Sequence, residues 1–237
     1  MKVAILIPTI NRPEFIERTV KYYNSIESKH PIYIGDASDD ITSNKIKLFL
    51  QGITKVDVRY FHWKGLGLNQ THKKLIEEVS PEFDYCAYQG DDDFFIPKSL
   101  TKCSEFLSHN PDYRTAQGYA VLVSVDRPEP VSGIDSIGQY WGKNSLDHDS
   151  KMDRLLYFDQ NYYVTQFSVH RVHEYIADII DSNSIADTLI GELTHSYTFA
   201  LNGKSKFIDS LYLVRVRHSG LQIYSGFNFF DWIVNKN

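Results

Sequence analysis

Short hydrophobic runs alternate with polar loops along the first 110 residues of the chain. Residues 3–7 form a continuous apolar, β-rich run that ends at Pro8 and Thr9. Such a run is typical of a strand that is buried on both faces of a parallel sheet. Comparable runs over residues 31–34, 56–61 and 83–88 predict three further strands in this half of the chain.

Apolar residues with helical spacing separate these strands. Asn11 is expected to cap a helix after the first strand, and Glu14 stands where a capping box places its acid. Further helices are predicted over residues 46–50 and 68–79, and another is expected to begin at Pro97. This alternation predicts an α/β fold with a mostly parallel central sheet flanked by helices, which binds ligands beyond the carboxyl ends of its strands.

The pattern becomes less regular after residue 110. Strands are predicted over residues 115–125, 162–170 and 211–216, and another near Phe207, which suits a smaller mixed sheet. Residues 127–142 are rich in proline, glycine and polar residues, so we expect a mobile loop there.

Two helices are predicted in this second half, over residues 172–179 and over residues 189–201, the latter ending at Gly203. An aromatic tail follows over residues 221–237. No repeat or linker divides the chain, so we expect a single domain over residues 1–237, with halves over 1–110 and 111–220.

Composition excludes several classes of protein. With 237 residues, of which 42% are hydrophobic, the chain can bury a substantial core. The net charge is −5 and the 25 Lys and Arg residues form no basic tract, so nucleic acid is not an expected partner. The two cysteines have no metal-ligand spacing, and we expect neither a disulfide nor a transmembrane segment.

Asp91, Asp92 and Asp93 follow directly after the fourth predicted strand. Adjacent carboxylates repel each other by about 3 kcal/mol per pair at ~5 Å if the effective dielectric constant is near 20. A bound Mg²⁺ or Mn²⁺ would relieve this repulsion, whereas the ordinary alternative is a solvated acidic turn. Pro97 places the next helix too far along for these aspartates to cap it, which favours a metal site.

Other polar residues are predicted to lie at the same edge of the sheet. Asp36 and Ser38 end the second strand, where they either contact a nucleoside or form a turn, and Arg12 pairs with a diphosphate or with a surface carboxylate. Gly67 and Asn69 open a helix whose free N–H groups suit an anion or a sugar.

Three further residues are candidates in the second half. Glu192 lies on the side of its helix away from the stripe formed by Leu189, Leu193 and Tyr197, where it is free to act as a general base. Asp187 is the alternative base, although a helix cap is its ordinary role. His218 ends the last predicted strand and could complete a metal site.

Three segments with this spacing resemble family 2 glycosyltransferases of the GT-A fold. They are residues 5–12, Ile-Leu-Ile-Pro-Thr-Ile-Asn-Arg; residues 35–39, Gly-Asp-Ala-Ser-Asp; and residues 88–93, Tyr-Gln-Gly-Asp-Asp-Asp, with Pro97 after them. Residues 168–171 and 191–192 resemble the acceptor-side elements of the family more loosely.

The resemblance implies a Rossmann-like GT-A domain whose first half binds a nucleotide-diphosphate sugar and whose second half binds a glycan or lipid-linked glycan. It assigns the general base to Glu192, with inversion at the anomeric carbon. The resemblance places Thr9, Arg12, Asp36 and Asp91 at the donor, and with the residues argued above the predicted donor-binding set is Pro8, Thr9, Arg12, Asp36, Ser38, Gly67, Asn69 and Asp91. It places Mn²⁺ or Mg²⁺ at the acidic run, with Asp92 as the first choice for direct contact, Asp91 as the second and Asp93 behind them. His218 is the further candidate ligand.

Two positions depart from the family pattern: Gly90 replaces the first acid of Asp-x-Asp-Asp, and Leu193 replaces the second acid of a Glu-Asp pair. Two alternatives therefore stay open, a sugar nucleotidyltransferase and a degenerate carbohydrate- or nucleotide-binding module. We expect a cytoplasmic protein, and leave open peripheral contact with the inner face of a membrane and formation of a homodimer.

Overall fold

The computed structural model describes residues 1–127, 129–140, 144–182 and 188–218. The elements of the first half are β1 Ala4–Thr9, α1 Pro13–Ser25, β2 Ile32–Asp36, α2 Asp40–Leu50, β3 Val58–His62, α3 Leu68–Val79, β4 Tyr85–Tyr88, β5 Phe94–Phe95 and α4 Pro97–His109. Those of the second half are β6 Tyr113–Val125, β7 Ile134–Gln139, α5 Lys151–Gln160, β8 Val169–Arg171, α6 Val172–Ser182, α7 Thr188–Asn202 and β9 Lys204–His218.

The described strands form one sheet in the order β3-β2-β1-β4-β8-β6-β9-β5, and β7 pairs with β6. Strands β1, β2, β3 and β4 are parallel, as predicted. Strand β8 is antiparallel to both β4 and β6, and β9 is parallel to β6. Strands β6 and β9 therefore run in the same direction as β1 and β4, and all of their carboxyl ends meet at one edge of the sheet.

Strand β1 is buried on both faces because helices cover each side of the sheet. On one side Ile5 and Ile7 belong to the same cluster as Ile16 and Val20 of α1. On the other side Ala4 and Leu6 belong to a cluster with residues of α3 and α6. This two-sided burial explains the continuous apolar run of residues 3–7, which confirms the predicted strand.

Helix α1 begins differently from the prediction. Arg12, not Asn11, occupies the N-cap position, and no side chain caps the helix. Asn11 instead has a positive φ of 54°, and its N–H donates to Ser38 Oγ at 2.7 Å. Pro13 is the first helical residue, and its fixed φ suits that position. The helix therefore begins one residue later than a cap at Asn11 would place it.

The second half corrects three expectations. Residues 134–139 form β7 and not a mobile loop; all six are exposed at the sheet edge, so no apolar alternation marks them. Of the strand predicted over residues 162–170, only the end is a strand, within β8 Val169–Arg171. Tyr163 and Phe167 pack into the core from a loop and a 3-10 turn instead. Helix α5, capped by Ser150, was not predicted. Within the described residues, no helix has the length and apolar character needed to cross a membrane.

Candidate active site

Asp91 is bound to the loop that follows β1. Its Oδ2 accepts a hydrogen bond from Thr9 Oγ1 at 2.7 Å, and its Oδ1 is 2.6 Å from Arg12 Nη1. The backbone carbonyl of Asp91 accepts from Thr19 Oγ1 of α1 at 2.7 Å. These contacts join the ends of β1 and β4, so the structure brings Thr9, Arg12 and Asp91 together as the sequence predicted.

Asp92 lies between the side chains of Arg12 and His218. Its Oδ2 is 2.9 Å from Arg12 Nη2 and 3.2 Å from His218 Nε2. Its backbone carbonyl accepts from Arg18 Nη2 at 2.8 Å. His218 reaches this position because β9 ends at the same edge of the sheet as β1 and β4, and its ring packs edge-on against Phe15.

Asp93 points into the protein and is fully buried. Its Oδ1 accepts from the N–H of Val216 at 3.0 Å, and its Oδ2 is 3.4 Å from Arg215 Nε. Asp93 therefore ties the acidic run to β9, which agrees with its predicted place behind Asp91 and Asp92.

Gly90 is needed at its position by the packing of these carboxylates. A Cβ on residue 90 would lie 2.9 Å from Asp93 Oδ2 and 3.1 Å from Asp92 Oδ1. Both distances are shorter than ordinary contacts to a Cβ atom. The departure from the Asp-x-Asp-Asp pattern thus has a steric reason in this chain.

The three carboxyl groups titrate differently. Burial raises the pKa of Asp91 and the pKa of Asp93 above the usual value. Burial acts on Asp92 in the same sense, but the hydrogen bond from His218 and the charge of Arg12 outweigh it and lower the pKa of Asp92. The hydrogen bond to Asp92 likewise raises the pKa of His218 against the opposing effect of its burial.

The predicted nucleoside side of the site is formed by the end of β2. Asp36 is fully buried, accepting from Ser38 N at 2.8 Å on Oδ1 and from Tyr60 OH at 2.5 Å on Oδ2. Burial and the hydrogen bond to Asp36 raise the pKa of Tyr60. The turn-forming role of Asp36 is therefore shown, and its contact with a nucleoside stays a prediction.

The loop before α3 is held against the end of β2 by two backbone hydrogen bonds, from Trp63 N to Asp36 O at 2.7 Å and from Gly65 N to Ala37 O at 3.0 Å. Gly67 is the N-cap of α3 and Asn69 is exposed in its first turn. Pro8 lies opposite Gly35 in the sheet. The predicted donor-binding residues thus share one edge of the sheet.

Glu192 lies on α7 and is half-buried, accepting a hydrogen bond from Tyr162 OH at 3.2 Å. Burial raises the pKa of Glu192, while the Tyr162 hydrogen bond and the charge of Arg215 oppose that increase. The prediction that Leu193 belongs to the buried stripe of this helix was wrong, because its side chain is 38% exposed. Phe199 and Ala200 are buried on this helix instead. Asp187 lies outside the described residues.

Arg215 connects the acidic run to the Glu192 side and had no predicted role. Its Nη1 donates to Tyr140 OH at 2.6 Å, and its guanidinium lies 4.4 Å from the centre of the Phe167 ring. An arginine between two valines, Val214 and Val216, is costly to bury without an acidic partner. This arginine in the strand could therefore have indicated from the sequence that an acidic partner lies nearby. The sequence around Arg18 and Tyr162 contains no comparable indication of their contacts.

The residues that could hold a metal ion were tested against this geometry. In the part of the chain that the structure describes, no three His, Cys, Asp or Glu side chains converge as a ligand set. Asp92 Oδ2 and His218 Nε2 are, however, 3.2 Å apart. Two neighbouring ligands of an octahedral ion at ~2.1 Å are ~3.0 Å from each other, so this pair fits two positions on one ion.

Comparison with known families assigns the chain. The model of the family described as Glycosyl transferase family 2 matches residues 4–172, which include β1, the acidic run and β8. The chain belongs to glycosyl transferase family 2. Among the curated proteins the sequence finds no match.

Solved structures show that this family 2 chain has the GT-A fold. A crystal structure of S. aureus TarS is similar with a TM-score of 0.58 and 14% identity, over 91% of this chain and 60% of that chain. TarS in complex with UDP-GlcNAc gives a TM-score of 0.59 and 13% identity, over 96% and 62%. The chain thus spans about 60% of the length of these two TarS structures. The 4-diphosphocytidyl-2C-methyl-D-erythritol synthase of Anaerococcus prevotii is also similar, with a TM-score of 0.51 and 11% identity, over 98% and 94%.

Proposed function

We propose that this chain transfers the sugar of a nucleoside-diphosphate sugar to a hydroxyl group of a glycan or lipid-linked glycan. The observation that carries the proposal is the cluster of Asp91, Asp92 and Arg12, placed where the carboxyl ends of β1 and β4 meet. Ligands of open α/β sheets bind at this edge. Family membership and the UDP-GlcNAc complex of TarS support a nucleotide-sugar donor.

The donor is proposed to lie along the edge from β2 to β4. Asp36 and Ser38 face the nucleoside with Pro8 and Thr9, while the first turn of α3, which follows Gly67 and contains Asn69, contributes backbone N–H groups. Asp91 contacts the ribose or shares the metal. Arg12 and Arg18 supply positive charge for the diphosphate.

Asp92 and His218 are proposed to hold a Mn²⁺ or Mg²⁺ ion, because their donor atoms have the spacing of two ligands on one ion. Diphosphate oxygens and water would provide the remaining ligands. When bound, the ion supplies positive charge that stabilises the departing diphosphate.

Glu192 is proposed to act as the general base. It removes the proton of the acceptor hydroxyl, whose oxygen then bonds to the anomeric carbon while the bond from that carbon to the diphosphate breaks. The bonding electrons leave with the nucleoside diphosphate. Attack from the face opposite the leaving group inverts the anomeric configuration, and Tyr162 holds the carboxylate through its hydrogen bond.

The test is to incubate the protein with UDP-sugars and a panel of glycan acceptors in Mn²⁺, and to measure released UDP and glycosylated product. Glu192→Gln should lower turnover by about 10²–10⁴-fold, while UDP binding stays unchanged. Glu77→Gln is the matched control, because Glu77 is exposed on α3 and its side chain pairs with Lys73. Full activity of Glu192→Gln would remove the base assignment.

A parallel assay separates the alternatives. A nucleoside triphosphate and a sugar phosphate replace the UDP-sugar, and release of pyrophosphate with formation of the nucleoside-diphosphate sugar would favour a nucleotidyltransferase, for which the similarity to the Anaerococcus prevotii synthase is the supporting observation. Binding of UDP without any transfer across the acceptor panel would favour a degenerate binding module. Cytoplasmic localisation, membrane contact and a homodimer stay predictions.

A further inference from the structure

The guanidinium of Arg12 lies between two carboxylates of the acidic run. Its Nη1 is 2.6 Å from Asp91 Oδ1, and its Nη2 is 2.9 Å from Asp92 Oδ2. The same group packs over the ring of Phe15 at 3.9 Å. One side chain of this chain therefore already contacts both carboxylates that are proposed to receive the donor and its metal ion, and offsets part of their negative charge.

The backbone of Arg12 is fixed, but its side chain is not enclosed. Asn11 before it has a φ of 54° and donates to Ser38 Oγ, and Pro13 after it begins α1. The Arg12 side chain is 29% exposed to solvent. The guanidinium can thus exchange one partner for another by side-chain rotation, with no change in the loop.

Arg12 competes with a divalent ion for the same oxygen. Asp92 Oδ2 contacts both Arg12 Nη2 and His218 Nε2, so the guanidinium already lies on the oxygen that the proposed ion would bind. An arginine keeps its proton at all physiological pH values, so it relieves the repulsion from an incoming cation only by moving away. Arg18 and Arg215 add further positive charge around the acidic run.

A diphosphate removes this obstacle, because its oxygens offer the guanidinium a new bidentate partner and complete the coordination of the ion. We infer that Arg12 is an internal counter-cation that holds Asp91 and Asp92 until a nucleoside diphosphate arrives, so that the divalent ion and the nucleotide bind as a pair. This inference rests on the proposed function, since it takes the acidic run as the donor site.

The test is calorimetric titration of the whole protein with Mn²⁺, alone and with saturating UDP. The wild type should bind Mn²⁺ at least ~10-fold more weakly without UDP than with it. Arg12→Gln should bind Mn²⁺ alone about 10-fold more tightly than the wild type and lose most of the effect of UDP. Arg12→Lys keeps the charge but cannot contact both carboxylates at once, so its affinity for Mn²⁺ alone should lie between those of the wild type and Arg12→Gln.

Arg59→Gln is the matched control, because it removes one positive charge from the exposed pair of Arg59 with Asp57 on β3. Its Mn²⁺ affinity should equal that of the wild type. Equal affinity of the wild type for Mn²⁺ with and without UDP would overturn the inference, as would a folded Arg12→Gln that gains no affinity. If Arg12→Gln does not fold, Arg12→Lys takes its place, and a folded Arg12→Lys that gains no affinity for Mn²⁺ alone would overturn the inference.

These outcomes are distinct from failure of the proposed function. Binding of Mn²⁺ to Arg12→Gln requires neither an acceptor nor turnover. If the protein transfers sugar but binds Mn²⁺ equally well with and without UDP, the inference about Arg12 is wrong and the proposed transferase activity stands. If the two ligands bind cooperatively but no sugar is transferred, the inference about Arg12 stands and the proposed activity is wrong.

Discussion

The environment of Glu192 raises the basicity of its carboxylate. The carboxyl group is half-buried on α7, and burial raises its pKa above the ordinary value. The hydrogen bond from Tyr162 and the charge of Arg215 favour the ionised form and oppose that increase. A raised pKa makes a carboxylate a stronger base, which supports the proposed role of Glu192.

Tyr162→Phe should move the acid limb of the pH profile to higher pH. The base acts only when ionised, so activity is lost as the pH falls through the pKa of Glu192. Removing a hydrogen bond that lowers this pKa brings the loss at a higher pH. The measurement is kcat/KM for UDP release from pH 4.5 to 8; Tyr197→Phe, whose hydroxyl bonds to Asp159 instead, should leave the limb in place. An unchanged limb in Tyr162→Phe would show that Glu192 is not the titrating base.

Gly90→Ala should destabilise the acidic run. The added Cβ would lie 2.9 Å from Asp93 Oδ2, and Asp93 is fixed by Val216 and Arg215. Overpacking of this kind typically costs about 1–3 kcal/mol of unfolding free energy. Urea denaturation measures the loss. Gly138→Ala is the control, because a Cβ there meets no atom within 4 Å, and an equal loss in both variants would contradict the steric explanation.

At the scale of elements, α1 holds the acidic run in place from one side. Thr19 donates to the carbonyl of Asp91, and Arg18 donates to that of Asp92. Tyr23, fully buried, donates to Gln89 Oε1 and accepts from the N–H of Phe95. The segment that follows β4 is therefore positioned by α1 as well as by its own strand.

Tyr23→Phe should test this contact. The change keeps the ring in the core but leaves Gln89 Oε1 and the N–H of Phe95 without this hydroxyl partner. Burying such groups unpaired costs about 1–3 kcal/mol each, and they need not both stay unpaired. We expect a lower urea midpoint and weaker UDP binding, measured by denaturation and calorimetry. Tyr113→Phe is the control, because its hydroxyl bonds to Asp147 near the surface. If Tyr23→Phe were as stable as the wild type, the hydroxyl of Tyr23 would not hold the segment after β4 in place.

Periodicity predicted the elements that are buried on a regular face. The runs of residues 3–7 and 31–34 and the helix at Pro97 were confirmed, because each packs apolar residues on both sides of the sheet or along one helix face. It failed for β7, whose residues are all exposed, and for residues 162–170, whose aromatics are buried from a loop. In both cases tertiary packing, which a local pattern does not contain, decides the structure.

At the scale of the whole molecule, the direction of β9 completes the site. Because β6 and β9 run parallel to β4, His218 ends beside residues more than 100 positions earlier in the chain. The sequence predicted His218 as the end of a strand and as a candidate metal ligand, but not which carboxylate it would contact. Its pairing with Asp92, and that of Arg215 with Asp93, depend on the strand order, which no local motif specifies.

Buried histidines link stability to pH across the fold. His72 Nε2 and Tyr175 OH form a hydrogen bond of 3.2 Å. The ring of His170 stacks on the same tyrosine, with 4.0 Å between the ring centres. Burial lowers the pKa of His72 and of His170 to about 3. Both are therefore neutral in the folded protein at a pH where the unfolded chain binds protons.

Stability should fall as the pH drops below 6.5, the ordinary pKa of histidine. Each buried neutral histidine removes about 1.4 kcal/mol of unfolding free energy per pH unit, so the pair removes about 2.7 kcal/mol per pH unit until the pKa of the folded state is reached.

His72→Phe removes one of these titrating groups and should reduce the loss of unfolding free energy between pH 6 and pH 5 by about 1.4 kcal/mol per pH unit, measured by urea denaturation. The raised pKa of Asp91 and that of Asp93 act in the opposite sense, but equally in both proteins, so the difference isolates His72. His173→Phe, at a side chain 79% exposed, should keep the wild-type slope, and the same slope in His72→Phe would show that His72 binds its proton in the folded state as well.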